Sequence, residues 1–376
     1  MATNEVPKNE KIRKPTPKKE FSLNDFKKKI GAEDVPDKPM RWIHISDALK
    51  TAVGNSSLPV GYTSLLRGYT NSGKSTGLEL AIVSAQKMGI LPIIIDTENN
   101  LGIERLKKMG FDMESGFYIM IDNEYLLENF GKKHDKNRKQ AAIEDMAECI
   151  HYFLDLQDNG ELDCELLFAI DSIGTLDSIK TVNALEKDTS NNNQWNAGAL
   201  ASCMKYLLNT RIPNSRKINK KYTNTFIAVQ KIWFDAQSGA GVVKHSGGEA
   251  VYSASRYILH YGGIQSHGTS KVLATSKGRE VAFGIKVKVS VAKNHIDGEL
   301  GGISLMGEII STPHGFIGTE KEDIEKYKKE HIQNFRDVLG NDINIEDIET
   351  KYEKIREDGK IDFDFNSFND VNEEFK

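Results

Sequence analysis

Cysteine is scarce in this chain: 376 residues include only Cys149, Cys164 and Cys203, an odd number with no C-x-x-C spacing. That argues against a disulfide framework and against a structural zinc site, and the three read as small buried hydrophobes. Long apolar runs are also missing. None approaches the roughly 18 to 20 residues needed to cross a bilayer, and the lysine-rich start lacks the apolar stretch of a signal peptide. The expected setting is therefore a cytoplasm, with no membrane partner. No internal repeat is visible either, which excludes solenoids and propellers.

What is present is a chain with 39% hydrophobic residues, enough to bury one large core. Its formal charge of -4 hides a polarity. Residues 1–30 carry nine Lys/Arg against four Asp/Glu, whereas residues 320–376 carry ten against eighteen, leaving the middle near neutral. A basic arm and an acidic tail attract a polyanion at one end and repel it at the other; the alternative is a pair of solvated termini that keep the protein soluble.

Residues 1–20, with Pro7, Pro15 and Pro17 among scattered lysines, lack apolar periodicity and are expected to be flexible. Ser22 reads as the N-cap of a short helix through Phe26 and Ile30. From about residue 41, short apolar runs alternate with amphipathic stretches. The pattern predicts helices over about 74–88, 139–156 and 196–211, and strands over 91–95, 165–170, 225–229, 256–262 and 284–293. Runs of this kind that end in polar residues indicate an α/β fold with a mainly parallel sheet flanked by helices, whose ligands sit at the carboxyl ends of the strands. The charged stretch 320–358, with Ile324, Tyr327, Ile332 and Phe335 near helical spacing, predicts one or two surface helices before a loose tail.

One motif carries chemistry directly. Gly68-Tyr69-Thr70-Asn71-Ser72-Gly73-Lys74-Ser75, followed by Thr76, satisfies G-x-x-x-x-G-K-[ST] between a predicted strand and a predicted helix. Glycines let successive N–H groups face phosphate oxygens, and the helix start adds its positive dipole end. Lys74 is expected to reach the β- and γ-phosphates of ATP, and Ser75 to ligate Mg²⁺. The run Leu166-Leu167-Phe168-Ala169-Ile170-Asp171 fits a Walker B strand whose carboxylate orients the magnesium shell. A second strand ends Asp96-Thr97-Glu98. Glu98 is the preferred general base for water attacking the γ-phosphorus, and Asp96 reads as a turn former.

In this order the segments resemble the strand-exchange recombinases of the RecA family, including the phage UvsX branch. The residues that carry the resemblance are Gly68 to Ser75, Ile94-Ile95-Asp96-Thr97-Glu98, Ile170-Asp171-Ser172, Phe226 to Gln230, Ser246-Gly247-Gly248 and Val287 to His295, across about 60–300. The resemblance implies a RecA-like P-loop ATPase core over 41–318. A flexible basic arm and an N-terminal oligomerisation helix would occupy 1–40, and an acidic helical segment and tail 319–376. It implies catalytic roles for Glu98, Lys74, Gln230 and Lys293. Gln230 would sense the γ-phosphate, and Lys293 would reach across a filament interface to a neighbour's ATP as an arginine finger does.

The same resemblance makes 231–246 the second DNA-binding loop, with Lys231, Trp233, Phe234, Lys244 and His245 suited to phosphate and base contacts. Glu186 to Trp195 would be the first such loop, and Phe21 would help to dock the next protomer. Two positions depart from the bacterial pattern: Arg105 stands where a tyrosine stacks on adenine, and His295 replaces a second lysine. The expected function is ATP-dependent recombination and repair of DNA by a helical homo-oligomeric filament on single-stranded DNA that pairs with double-stranded DNA, with mediator and single-strand-binding proteins as partners. A replicative-helicase-type ring motor and a non-hydrolysing ATP-binding filament protein are the alternatives. Locally, Trp233 and Phe234 as core aromatics, and Lys293 as an ordinary edge-strand lysine, are the competing readings.

Overall fold

The apolar runs become strands of one large sheet in the computed structural model, which describes residues 22–31, 35–186, 194–235, 242–245, 248–263, 268–296 and 305–355. In chain order the strands are β1 (Trp42–His44), β2 (Ser57–Pro59), β3 (Thr63–Gly68), β4 (Ile90–Asp96), β5 (Ile119–Ile121), β6 (Glu165–Asp171) and β7 (Thr225–Asp235). These are followed by β8 (Val242–His245), β9 (Tyr257–Tyr261), β10 (Thr269–Ser276), β11 (Arg279–Asn294), β12 (Met306–Thr312), β13 (Gly315–Ile317) and β14 (Glu349–Lys354). Strands β1 and β2 form a small antiparallel pair of their own.

The main sheet is ordered β13-β12-β11-β9-β3-β7-β6-β4-β5. From β9 to β5 every neighbouring pair is parallel. The expected parallel core, covered by helices, is therefore the fold observed. Beyond β9 the sheet continues as an antiparallel wing: β11 on β9, then β12 and β13, with β10 and β14 added along the other reach of β11.

Strand alternation explains why the central runs are apolar throughout. Successive side chains point to opposite faces, so Leu66, Ile94, Ala169 and Val229 join one core with Leu78, Ile82 and Ala85 of the helix Lys74–Lys87. Their neighbours Leu65, Ile93, Ile95, Ile170 and Ala228 join the other, under Met146, Ile150 and Phe153 of the helix Ile143–Asp158. Fully burying a side chain of this size contributes about 1.5–3 kcal/mol, which favours apolar residues through the middle of β4 and β6 on both faces.

Several boundaries moved for identifiable reasons. The helix expected from 139 begins at Ile143, because Asp145 accepts the Ala142 N–H at 2.7 Å and also pairs with buried Arg138. Ser22 caps the helix Leu23–Lys29 by accepting from the Asp25 N–H at 3.3 Å. The stretch predicted as surface helices holds Lys321–Glu330 and Ile332–Leu339, and then turns into β14, which pairs with β10. Ile324, Tyr327 and Phe335 from these helices close a third apolar cluster against Val272, Phe283 and Ile310 of the wing. Cys149 is buried, which pushes its thiol up to about 12, while Cys164 and Cys203 are half-buried. No helix among the described residues is long and apolar enough to cross a membrane.

Candidate nucleotide site

The loop Gly68–Ser75 connects the carboxyl end of β3 to the helix Lys74–Lys87. Gly73, the N-cap residue, has φ +86°, and Gly68 packs so tightly that a Cβ there would run into the carbonyl oxygen of Tyr261. Both positions require glycine, one for its backbone conformation and one for its missing side chain. The Lys74 ammonium is folded into the loop, where it donates to the Tyr69 carbonyl and, at 3.4 Å, to the Ser72 hydroxyl. Burial lowers its pKa to about 8 even though Asp171 opposes the shift. An anion in the loop would favour the charged form further.

Two carboxylates stand at the ends of neighbouring strands, since Asp96 of β4 is in register with Asp171 of β6. Asp171 is 2% exposed, and burial raises its pKa to about 6, moderated by a hydrogen bond from the Ser75 hydroxyl. Its Oδ2 has no hydrogen-bond partner. An unsatisfied carboxylate oxygen beside a serine hydroxyl at the phosphate loop is a donor set that fits a hard cation such as Mg²⁺, whose shell is completed by water and phosphate. Among the described residues no three His, Cys, Asp or Glu side chains converge as a protein-only metal site.

Thr97 stitches the two strand ends together. Its N–H donates to the Asp171 carbonyl at 2.8 Å, and its hydroxyl donates to the Ser172 carbonyl at 3.1 Å. Asp96 is spent on the turn: its carboxylate accepts the N–H groups of Glu98, Asn100 and Leu101. Glu98 is thereby aimed across the end of β6. One carboxylate oxygen accepts from the hydroxyls of Ser172 and Thr175, the other from the Asn100 amide at 2.9 Å and the Lys231 ammonium at 2.7 Å. Burial pushes the Glu98 pKa up, but the bonds from Lys231, Ser172 and Thr175 outweigh it and hold the carboxyl below its ordinary value.

Gln230 is fully buried on β7, and Lys231 follows it with its backbone in register with Gly68. The segment expected as an irregular DNA-binding loop has ordered arms. Residues 231–235 prolong β7, and β8 pairs with them, Ile232 opposite His245 and Trp233 opposite Lys244. The run of apolar and aromatic residues 232–234 and the run 242–243 explain the pairing. Trp233 is 47% exposed and does not belong to the core. Residues 236–241 and 246–247 lie outside the described residues, as do the side chains of Phe234, Lys244 and His245. The same holds for Phe21, for 187–193 of the expected first loop, for the side chains of Glu186 and Trp195, and for 356–376 of the acidic tail.

Three residues singled out from the resemblance have local partners. The Lys293 ammonium donates to the Tyr252 and Ser253 carbonyls at 3.2 and 3.1 Å, at the end of the helix Gly248–Ala254. A cross-interface role requires it to leave them. Arg105 is anchored on the helix of the phosphate loop, 2.8 Å from Glu79 and donating to Thr76, rather than standing free to stack. His295 donates its backbone N–H to the Arg256 carbonyl. Missed altogether were Ser172, Thr175 and Asn100 as partners of Glu98. Small hydroxyl and amide residues after a strand are too common to signal this without the strand order.

No family model matches the chain. It is 31% identical to the protein RecA of Aquifex aeolicus over 110 residues, 27% of this chain and 32% of that protein. It is 35% identical to the protein RecA of Streptomyces avermitilis over 89 residues, 23% of this chain and 24% of that protein. The aligned parts thus span a third or less of the relatives. Joined to a parallel sheet that presents a phosphate loop and two carboxylates at one edge, these matches support a relationship to the RecA family over about a quarter of the chain.

Proposed function

We propose that this protein is a DNA-dependent ATPase that forms helical filaments on single-stranded DNA and pairs it with homologous duplex in recombination and repair. The observation that carries the reading is β7. One strand runs from buried Gln230, past Lys231 on the carboxylate Glu98, into a hairpin bearing exposed Trp233. Hydrolysis chemistry and a surface suited to stacking on bases share a single continuous backbone.

ATP is the substrate. The loop Gly68–Ser75 and the helix start behind it would bind the phosphates, with Lys74 as their counter-charge. Ser75 and Asp171 would hold Mg²⁺, which supplies charge neutralisation on the β- and γ-phosphates. Glu98 would orient a water and accept its proton as the water oxygen attacks the γ-phosphorus and the bond to the β-phosphate oxygen breaks, giving ADP and phosphate. Gln230 would report the γ-phosphate to the hairpin, and Lys293 would exchange its carbonyl partners for a neighbouring protomer's nucleotide. The two RecA relatives support the family without distinguishing its branches. They are bacterial, and the phage branch rests on motif order alone.

The test is ATP hydrolysis with and without single-stranded DNA, with Lys74→Ala and Glu98→Gln as controls, alongside electron microscopy with a slowly hydrolysed ATP analogue. Stimulation lost in both variants, together with filaments, supports the proposal. Closed rings that translocate would replace it with a helicase-type motor, and absence of both stimulation and DNA binding would end it.

A further inference from the structure

We propose that Lys231 is a clamp on Glu98, and that single-stranded DNA seated on the β7–β8 hairpin activates hydrolysis by drawing this ammonium away. The proposal rests on the DNA-dependent ATPase reading of the same site and adds the link between its two halves.

A carboxylate offers about four lone-pair positions, two on each oxygen. In Glu98 all four are taken: one oxygen by Ser172 and Thr175, the other by Asn100 and Lys231. A water to be deprotonated has no acceptor left until one donor moves. Three of the donors sit on the turns that follow β4 and β6, close to the stitch made by Thr97. Lys231 alone among the four comes from β7, and it is the only cation of the set. Its side chain is 41% exposed while that of Glu98 is 9% exposed, so the bond can be broken from the solvent side.

The strand makes Lys231 the movable donor. Its backbone is the last register position of β7 on β3, opposite Gly68, and the next residue already pairs with β8. Alternation along β7 puts Lys231 and Trp233 on one face of the strand, about 7 Å apart. A base stacked on exposed Trp233 would bring its backbone phosphates within reach of the Lys231 ammonium, which then exchanges one anionic partner for another. Losing the cation also raises the basicity of Glu98, as a general base requires.

The experiment compares wild type, Lys231→Met and Lys231→Arg in the full chain. DNA-free kcat is expected to rise about tenfold in Lys231→Met with KM for ATP unchanged, and the remaining stimulation by DNA to shrink by the same factor. Lys231→Arg, which keeps the ion pair, should retain low DNA-free turnover. Affinity for a fluorescent ATP analogue and the thermal midpoint should match wild type in both variants, showing that the fold and the nucleotide site are intact. An unchanged DNA-free rate in Lys231→Met overturns the clamp; if stimulation is lost as well, Lys231 is a direct DNA contact instead. A raised DNA-free rate in that variant, in a protein that DNA does not stimulate, would keep the clamp and remove the DNA reading.

Discussion

The parallel half of the sheet and its antiparallel wing are built from strands of the same polypeptide but divide the labour. From β9 to β5 the strands are mostly buried on both faces, and although polar residues such as Ser64 and Thr225 lie near their amino ends, Lys74, Asp171, Glu98 and Gln230 meet at the carboxyl ends. In the wing, β11 and β12 are also apolar on both faces, with Val287, Val289 and Ile309 in the core under the phosphate-loop helix and Phe283 and Ile310 in the cluster with Tyr327 and Phe335, but the outlying strand β14 is largely exposed. A doubly covered sheet leaves its strand ends for polar chemistry, whereas an uncovered outlying strand carries polar side chains along its length. The two halves touch at the phosphate loop. Ser311 of β12 bonds Thr76 at 2.8 Å, and Phe316 of β13 packs near Tyr261 beneath the loop.

The largest contrast is expected from Glu98→Gln, which should lower DNA-stimulated kcat by about 10²–10⁴-fold while leaving the thermal midpoint close to that of wild type. Phe335→Ala should do the reverse. Phe335 is 3% exposed against Phe283 and Tyr327, so truncation should cost about 3–5 kcal/mol in urea unfolding with turnover per folded molecule within about twofold. A large fall in turnover with Phe335→Ala would show that the wing is part of the catalytic unit rather than its support.

A smaller effect is expected from Glu79, a buried residue of the phosphate-loop helix, whose carboxyl is pushed up to about 7 by burial against the pull of Arg105. With a folded value above the ordinary 4.5, the native state binds more protons than the unfolded chain between about pH 4.5 and 7. Stability should therefore be highest below that window and fall by on the order of 3 kcal/mol as pH rises through it. Glu79→Gln should flatten this slope in unfolding curves measured from pH 4 to 8; an unchanged slope would place its origin elsewhere. Smallest is Ser311→Ala, which removes the bond to Thr76. About 1 kcal/mol of stability is expected to go, and a rise in KM for ATP larger than about threefold would mean that the wing shapes the nucleotide site more than this single contact implies.

Much of the parallel half is legible in the sequence. Runs such as Ile90–Asp96 and Glu165–Asp171 are apolar because both faces are covered, and they end where the cover ends. The wing was harder to read. Strand β11 runs sixteen residues with mixed burial and an irregular register near Val291, so the sequence pattern predicts strand only over 284–293. Strand β14, with Glu349, Lys351 and Glu353 along an exposed edge, has the composition of a solvated helix and becomes a strand only because β10 offers it an open edge.

The sequence by itself determined the phosphate loop, the acidic strand ends and the doubly buried runs, because each depends on spacing within a few consecutive residues. Tertiary structure alone decided that Lys231 faces Glu98 across 133 residues of chain, that Ser172 and Thr175 complete that carboxylate's partners, and that Arg105 is held by Glu79. The contacts around Glu98 follow from the order β7-β6-β4, which puts three strand ends side by side, and the Arg105–Glu79 pair from the packing of the helix Ile103–Lys108 on the phosphate-loop helix. No local pattern encodes that order; it is fixed by how the helices between the strands pack on the two faces of the sheet.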